Sequence, residues 1–242
     1  METIYSLSQY WQAGFPNVQG WVNADLHEFV AHLGAVQATL EVKGNVAEIG
    51  VYHGKFFIAL SCLLDASAKA VCIDVFDDQS KNLDGAGEGN LSILKENVAR
   101  YGRSDIAYEF IKADSIAMTP ADKLKLMTDH GPFRLFSVDG CHTTEHTHND
   151  LLTAQDAISP SGVIILDDYM QPHWPGVTEA VHLLYGRTVP RVRPFLYTCH
   201  KLFFCGVGWH ANYCRAFHER FASHQNARLI RMFGSDVLTV YP

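Results

Sequence analysis

From residue 45 onward the chain alternates short apolar runs with longer stretches of helical spacing. Asn45–Gly50 (NVAEIG) is a short run that ends in glycine, and Lys55–Asp65 (KFFIALSCLLD) follows it with the apolar density of a buried helix. Ala70–Val75 (AVCIDV) reads as a second strand. Asn90–Tyr101 (NLSILKENVARY) has helical spacing, an Asn in the N-cap position and Gly102 just past its end. Tyr108–Lys112, Arg134–Val138 and Val163–Leu166 supply a third, fourth and fifth strand. Glu145–Ile158 suits a helix ended by Pro160 and Gly162, and Pro194–Thr198 with Lys201–Cys205 predicts a closing pair of strands.

Strand and helix in this order predict an α/β fold. The expectation is a Rossmann-like, doubly wound, mostly parallel sheet of seven strands, with helices on both faces. Residues 1–44, with Trp11, Trp21 and Leu26–Leu33, read as N-terminal helices packed on or over the site of a second unit, residues 45–242. In such sheets ligands bind beyond the carboxyl ends of the strands, so the residues just after each strand are the candidates for chemistry.

Composition narrows the partners. The net charge of −7 argues against nucleic acid and against an anionic membrane surface. No apolar run is long enough for a membrane span, and the N-terminus (METIYSLSQYWQAGF) lacks the basic start and cleavage site of a secretory signal. The six cysteines form no CxxC pair and read as reduced thiols of a cytoplasmic protein. The tail Ala211–Pro242 is read as exposed and available to pack between subunits of a homo-oligomer.

The strand ends carry a consistent chemistry. After the first strand, Glu48, Gly50 and Gly54 form ExGxxxG, where glycine permits a tight turn and close approach to a ligand. The spacing differs from the GxGxxG of dinucleotide binding. Asp74 follows the second strand, placed either to hold ribose hydroxyls or to cap a turn. Asp114 and Ser115 follow the third, placed to face an adenine ring or to cap the next helix. The fourth delivers Asp139, with His142 three residues on, inside the run SVDGCHTTEHTHND; the fifth delivers Asp167 and Asp168. Adjacent carboxylates behind an apolar strand repel one another, and beside Asp139 they form a hard-oxygen site suited to Mg²⁺ or Mn²⁺. A zinc or iron site from Asp139, His142 and His146 matches no fixed ligand spacing.

Taken in order, VAEIGVYHG, CIDVFDDQ, KADS, SVDGCHTTEHTHNDL and GVIILDDY followed by WPGVTEAV resemble a class I S-adenosylmethionine-dependent methyltransferase. More narrowly, they resemble the small bacterial enzymes that include macrocin and mycinamicin O-methyltransferases. The resemblance spans Val46 to Leu183. It implies that Gly50, with Glu48, lies along the methionine part of S-adenosylmethionine. It further implies that Asp74 holds the ribose, and that Asp114 and Ser115 lie near adenine. A divalent cation, Mg²⁺ by preference, would sit on Asp139, Asp167 and Asp168, with His142 as general base. The implied acceptor is a hydroxylated small molecule, a glycan or glycosylated metabolite. The glycine-rich Asn82–Asn90 (NLDGAGEGN) is an unusual insertion after the second strand, read as a loop over the site or an inert surface loop. Two other readings compete: a metal-dependent hydrolase or oxygenase using the His/Asp cluster, and a non-catalytic nucleotide-binding subunit.

Overall fold

Along Asn45–Ile49 (β1) successive side chains fall on opposite faces of a sheet, Val46 into one apolar layer and Ala47 into the other. The same alternation separates Cys72 from Val71 in Lys69–Asp74 (β2), Leu135 from Phe136 in Phe133–Val138 (β4), and Ile165 from Ile164 in Ile158–Leu166 (β5). Both faces are covered, so these strands read in sequence as nearly unbroken apolar runs. β1 lies between β2 and β4 and pairs parallel with both; β2 pairs parallel with Ala107–Lys112 (β3), and β4 with β5.

The computed structural model of the chain describes residues 6–241. The first five residues of the predicted N-terminal segment, and Pro242, lie outside the described residues. Helices Leu7–Ala13 (α1), Leu26–Thr39 (α2), Lys55–Ser61 (α3), Leu91–Tyr101 (α4) and His210–Phe221 (α8) cover one face, burying Tyr10, Phe29, Phe57, Leu94 and Phe217 in one layer. Pro120–His130 (α5), Thr144–Ala157 (α6) and Pro175–Arg187 (α7) cover the other with Leu126, Leu151 and Val181. The starts follow local rules. The Asn90 side chain accepts from the N–H groups of Ser92 and Ile93, and Thr119 with Asp122 closes a capping box on α5.

Beyond β5 the pairing turns antiparallel. Lys201–Gly206 (β7) lies between β5 and Val192–Thr198 (β6). The predicted count of seven strands is corrected here. The sheet holds nine strands among the described residues, in the order β3-β2-β1-β4-β5-β7-β6-β9-β8, because Arg228–Met232 (β8) and Ser235–Thr239 (β9) extend it past β6. Their hairpin turns at Phe233 and Gly234, with φ of 49° and 74°, and β8 (RLIRM) is largely exposed with no clean alternation. The reading of Ala211–Pro242 as an exposed tail is corrected as well: α8 buries Tyr213, Phe217 and Phe221, and β9 pairs parallel with β6. Among the described residues no helix is long and apolar enough to cross a membrane.

Candidate active site

The carboxyl ends of β1 to β5 open on one cavity of about 430 Å³, within the range of small-molecule sites. Glu48, Gly50, Asp74, Asp114, Ser115, Asp139, His142, Asp167 and Asp168 all line it. Gly54 does not. It caps α3 at φ +89°, and a Cβ there would lie 2.4 Å from the Leu94 side chain, so its glycine serves the turn and the packing on α4. Gly50 is required more directly: at φ +78° a Cβ would lie 1.9 Å from the Asp139 carbonyl oxygen. The loop after β1 thus packs on the loop after β4 with no room for a side chain between them.

Glu48 is buried, and neither carboxylate oxygen has a hydrogen-bond partner among the described residues. Burial pushes its carboxyl up to about 8, so near neutral pH it holds its proton. Such an acid beside a cavity suits a ligand that brings its own polar group. Asp74 is committed to backbone. One oxygen accepts from Val51 N at 2.7 Å and Tyr52 N at 3.1 Å, and the other from Phe76 N at 2.6 Å. The acid holds the β1 loop and its own turn, while its oxygens keep capacity for one further donor. Asp114 caps the turn at Ser115–Ala117 by accepting from Ile116 N at 3.3 Å.

The acids after β4 and β5 divide. Lys201, 2 % exposed and lying over the Phe56 ring, donates from Nζ to Asp167 Oδ2. Asp167 Oδ1 accepts from the Asp168 N–H at 2.8 Å. Each oxygen of Asp167 thus accepts one hydrogen bond and keeps a lone pair. Burial opposes the charge on Lys201, but Asp167 and Asp139 outweigh it and raise its pKa. Asp139 is pushed well above the usual carboxylate range, first by burial and then by the charge of Asp167. The group that converges is Asp139, His142 and Asp168, whose ligand atoms lie within 4.8 Å of one another. His146 stays outside it, its Nδ1 2.7 Å from Thr143 Oγ1.

His142 is held on three sides. Nε2 lies 3.0 Å from Asp168 Oδ2, Nδ1 lies 2.7 Å from Asp84 Oδ2, and Trp174 stacks on the ring at 4.2 Å. Burial lowers the imidazole pKa, but the bonds to Asp168 and Asp84 outweigh it and raise it to about 9. Trp174 thus meets the imidazole, while His173 is exposed and away from the cavity. Asp168 itself sits at φ +54°, a conformation of the sort that collects at functional sites. Asp84 and Lys201 are missed by sequence reasoning. The only signal for Asp84 is an acid inside the glycine-rich insertion, and Lys201 reads as the polar start of an apolar strand.

Two further segments complete the walls. Gln19–Val22, between α1 and α2, reach the cavity rim, where the Trp21 and Tyr52 ring centroids are 4.9 Å apart. Asn82, Asp84, Ala86, Gly87 and Gly89 of the glycine-rich insertion also line the cavity.

Comparison with known proteins agrees with this geometry. A family model described as a methyltransferase domain matches residues 47–169, half of the chain. No curated protein matches it. Among solved structures the chain is similar to the O-methyltransferase NovP, with 16% identity, 74% of this chain and 78% of that one covered, and a TM-score of 0.60. It is similar to CalS11, a TDP-rhamnose 3'-O-methyltransferase of calicheamicin biosynthesis, at 17% identity, with 84% and 93% covered and a TM-score of 0.51. It is also similar to MycE, a mycinamycin-pathway methyltransferase solved with Mg, SAH and mycinamycin VI, at 15% identity, with 83% and 53% covered and a TM-score of 0.52. These likenesses place the architecture, and the family model places the chain: it belongs to the methyltransferase-domain family.

Proposed function

We propose that this methyltransferase moves the methyl group of S-adenosylmethionine onto a hydroxyl oxygen of a small polyhydroxylated acceptor, with His142 as the general base. The observation that carries the reading is the place of His142 Nε2. It stands 3.0 Å from Asp168 Oδ2 on the cavity wall formed by the ends of β4 and β5. An acceptor hydroxyl that takes the place of Asp168 on Nε2 donates to it. As its proton passes to nitrogen, an oxygen lone pair forms the bond to the methyl carbon. The carbon–sulfur bond breaks, its electron pair stays on sulfur, and S-adenosylhomocysteine (SAH) leaves. Base catalysis of this kind contributes about 10²–10⁴-fold, and alignment of two bound substrates supplies much of the rest.

The donor side follows from the first three strand ends. Glu48 offers unpartnered oxygens, the Gly50 turn admits close approach, and Asp74, Asp114 and Ser115 continue the wall. The N-terminal segment is assigned the role of a cover, since Gln19–Val22 line the same cavity.

The donor set also fits a divalent cation. Asp139 and Asp168 are hard oxygen ligands, and burial, then the charge of Asp167, disfavours a bare charge on Asp139 that Lys201 offsets only in part. Asp139 and Asp168 would hold the ion, and Asp167 would support it through its bond to the Asp168 backbone. A bound divalent ion there supplies Lewis acidity that lowers the pKa of an acceptor hydroxyl. That MycE was solved with Mg and SAH, and that CalS11 is a TDP-rhamnose methyltransferase, supports a metal and a sugar hydroxyl as the chemistry to test first.

The test is calorimetric titration with SAH, followed by SAH release from S-adenosylmethionine with a panel of TDP-sugars, glycosylated macrolides and catechols, with and without chelator. Saturable SAH binding and acceptor-dependent release are expected. Binding without release on any hydroxylated acceptor would count against O-methylation, and chelator-independent release would remove the metal.

A further inference from the structure

The Asn82–Asn90 insertion does more than cover the cavity. Its Asp84 side chain is 8% exposed, whereas Leu83 beside it is 67% exposed. One oxygen, Asp84 Oδ2, accepts from the His142 backbone N–H at 2.6 Å and lies 2.7 Å from the ring Nδ1. A carboxylate that holds both the backbone and the ring of one residue fixes where that ring points. The rest of the loop is pinned to the other half of the cavity. Within the loop, Asn82 Nδ2 donates to the Gly87 carbonyl at 2.6 Å, which fixes its fold. A Cβ at Gly87 would lie 3.1 Å from the Trp21 ring and 3.2 Å from Tyr52, and one at Gly89 would lie 3.2 Å from Asp74 Oδ1. The loop therefore spans from the Asp74 side of the site to the His142 side.

We infer that Asp84 is the positioning residue of the base: the insertion carries it across the cavity, where it keeps a proton on His142 Nδ1 and turns Nε2 toward the acceptor. This rests on the methyltransferase reading of the site. The physical reason is the donor inventory. A neutral imidazole has one N–H, and an ionised carboxylate only accepts; both ring nitrogens face a carboxylate here, so Nε2 presents a lone pair once Asp168 is engaged elsewhere and Asp84 keeps the proton on Nδ1. When the acceptor proton reaches Nε2, the imidazolium so formed keeps its ion pair with Asp84. The acceptor oxygen meanwhile bonds the methyl carbon, and the sulfur retains the electron pair of the broken bond. Because the same loop packs on Asp74, Trp21 and Tyr52, the base is ordered when the loop lies over the cofactor side, a form of induced fit.

The experiment joins a ring-proton readout to a kinetic one, on the full chain with SAH bound. Nitrogen-15 histidine spectra should show a downfield Nδ1 proton that disappears in His142→Gln, which assigns it, and moves upfield in Asp84→Asn. With the acceptor that wild type methylates, Asp84→Asn should lower the plateau kcat by about 10²–10⁴-fold, with KM for S-adenosylmethionine and the affinity for SAH unchanged. Asp84→Glu, which keeps the charge, should recover part of the loss. An Nδ1 proton unmoved in Asp84→Asn, or a loss confined to SAH affinity, would overturn the assignment. A wild-type protein that shows the Asp84-held proton yet takes up no SAH would overturn the methyltransferase reading and leave the Asp84 contact standing.

Discussion

The Lys201 ammonium is sealed against Asp167 where the antiparallel register of β7 on β5 brings them side by side, one step beyond the pair Leu202 and Leu166. Lys201→Met removes the lysine that pairs with Asp167. A buried ion pair that loses one partner costs about 3–5 kcal/mol, so denaturant unfolding of Lys201→Met should shift by that order. Lys201→Met combined with Asp167→Asn should recover much of it. Equal stability of wild type and Lys201→Met would show that the pair is not buried in solution.

The Gly50 turn makes a second prediction. Gly50→Ala sets a Cβ on the Asp139 carbonyl at a positive φ, so the loops after β1 and β4 must part. Stability should fall by at least about 1–3 kcal/mol, and SAH affinity should fall with it. Gly186→Ala, in α7 where nothing lies within 4 Å of the added carbon, is the matching control and should lower neither.

The pH dependence follows from His142. Asp168 and Asp84, against the effect of burial, raise its pKa to about 9. A folded pKa above the unfolded value of about 6.5 means that the pairing stabilises the fold fully below that pH. The stabilisation is lost as pH rises through about 9. In the metal-free protein the stability read by denaturant unfolding should therefore fall as pH rises from about 7 through about 9. A profile flat over that range would contradict the assignment.

Trp174 lies on the same ring at 4.2 Å, with the planes 17° apart. Stacking on a cationic imidazole is worth about 0.5–2 kcal/mol. Trp174→Ala should therefore lower the His142 pKa, read by proton NMR, and reduce turnover. Trp174→Phe should retain most of both. No movement of the pKa would leave Trp174 as a loop anchor alone.

The sheet and the position of the site were legible because each depends on neighbours in sequence. Alternation sorts Val46 from Ala47, and Asn90 caps its own helix. The strand-end acids then share one cavity because parallel strands end together. What escaped depends on distant partners. Lys201 and Asp167 are 34 residues apart, and Asp84 and His142 are 58 apart. No local pattern announces either contact. The hairpin at Phe233–Gly234 escaped for a different reason. Phe233 takes the left-handed conformation without being glycine, asparagine or aspartate, so the usual two-residue turn signal is missing. Asp167 shows the limit within the site itself. The sequence groups it with Asp168 and both line the cavity, but its pairing with Lys201, 34 residues on, has no local signal.

The most direct measurement is transfer of a radiolabelled methyl group from S-adenosylmethionine to a hydroxylated acceptor, comparing wild type with His142→Gln after both are shown to bind SAH with similar affinity. The wild-type protein should label the acceptor, and His142→Gln should lose the label by about 10²–10⁴-fold. Equal labelling by the two proteins would contradict the role of His142 as the base.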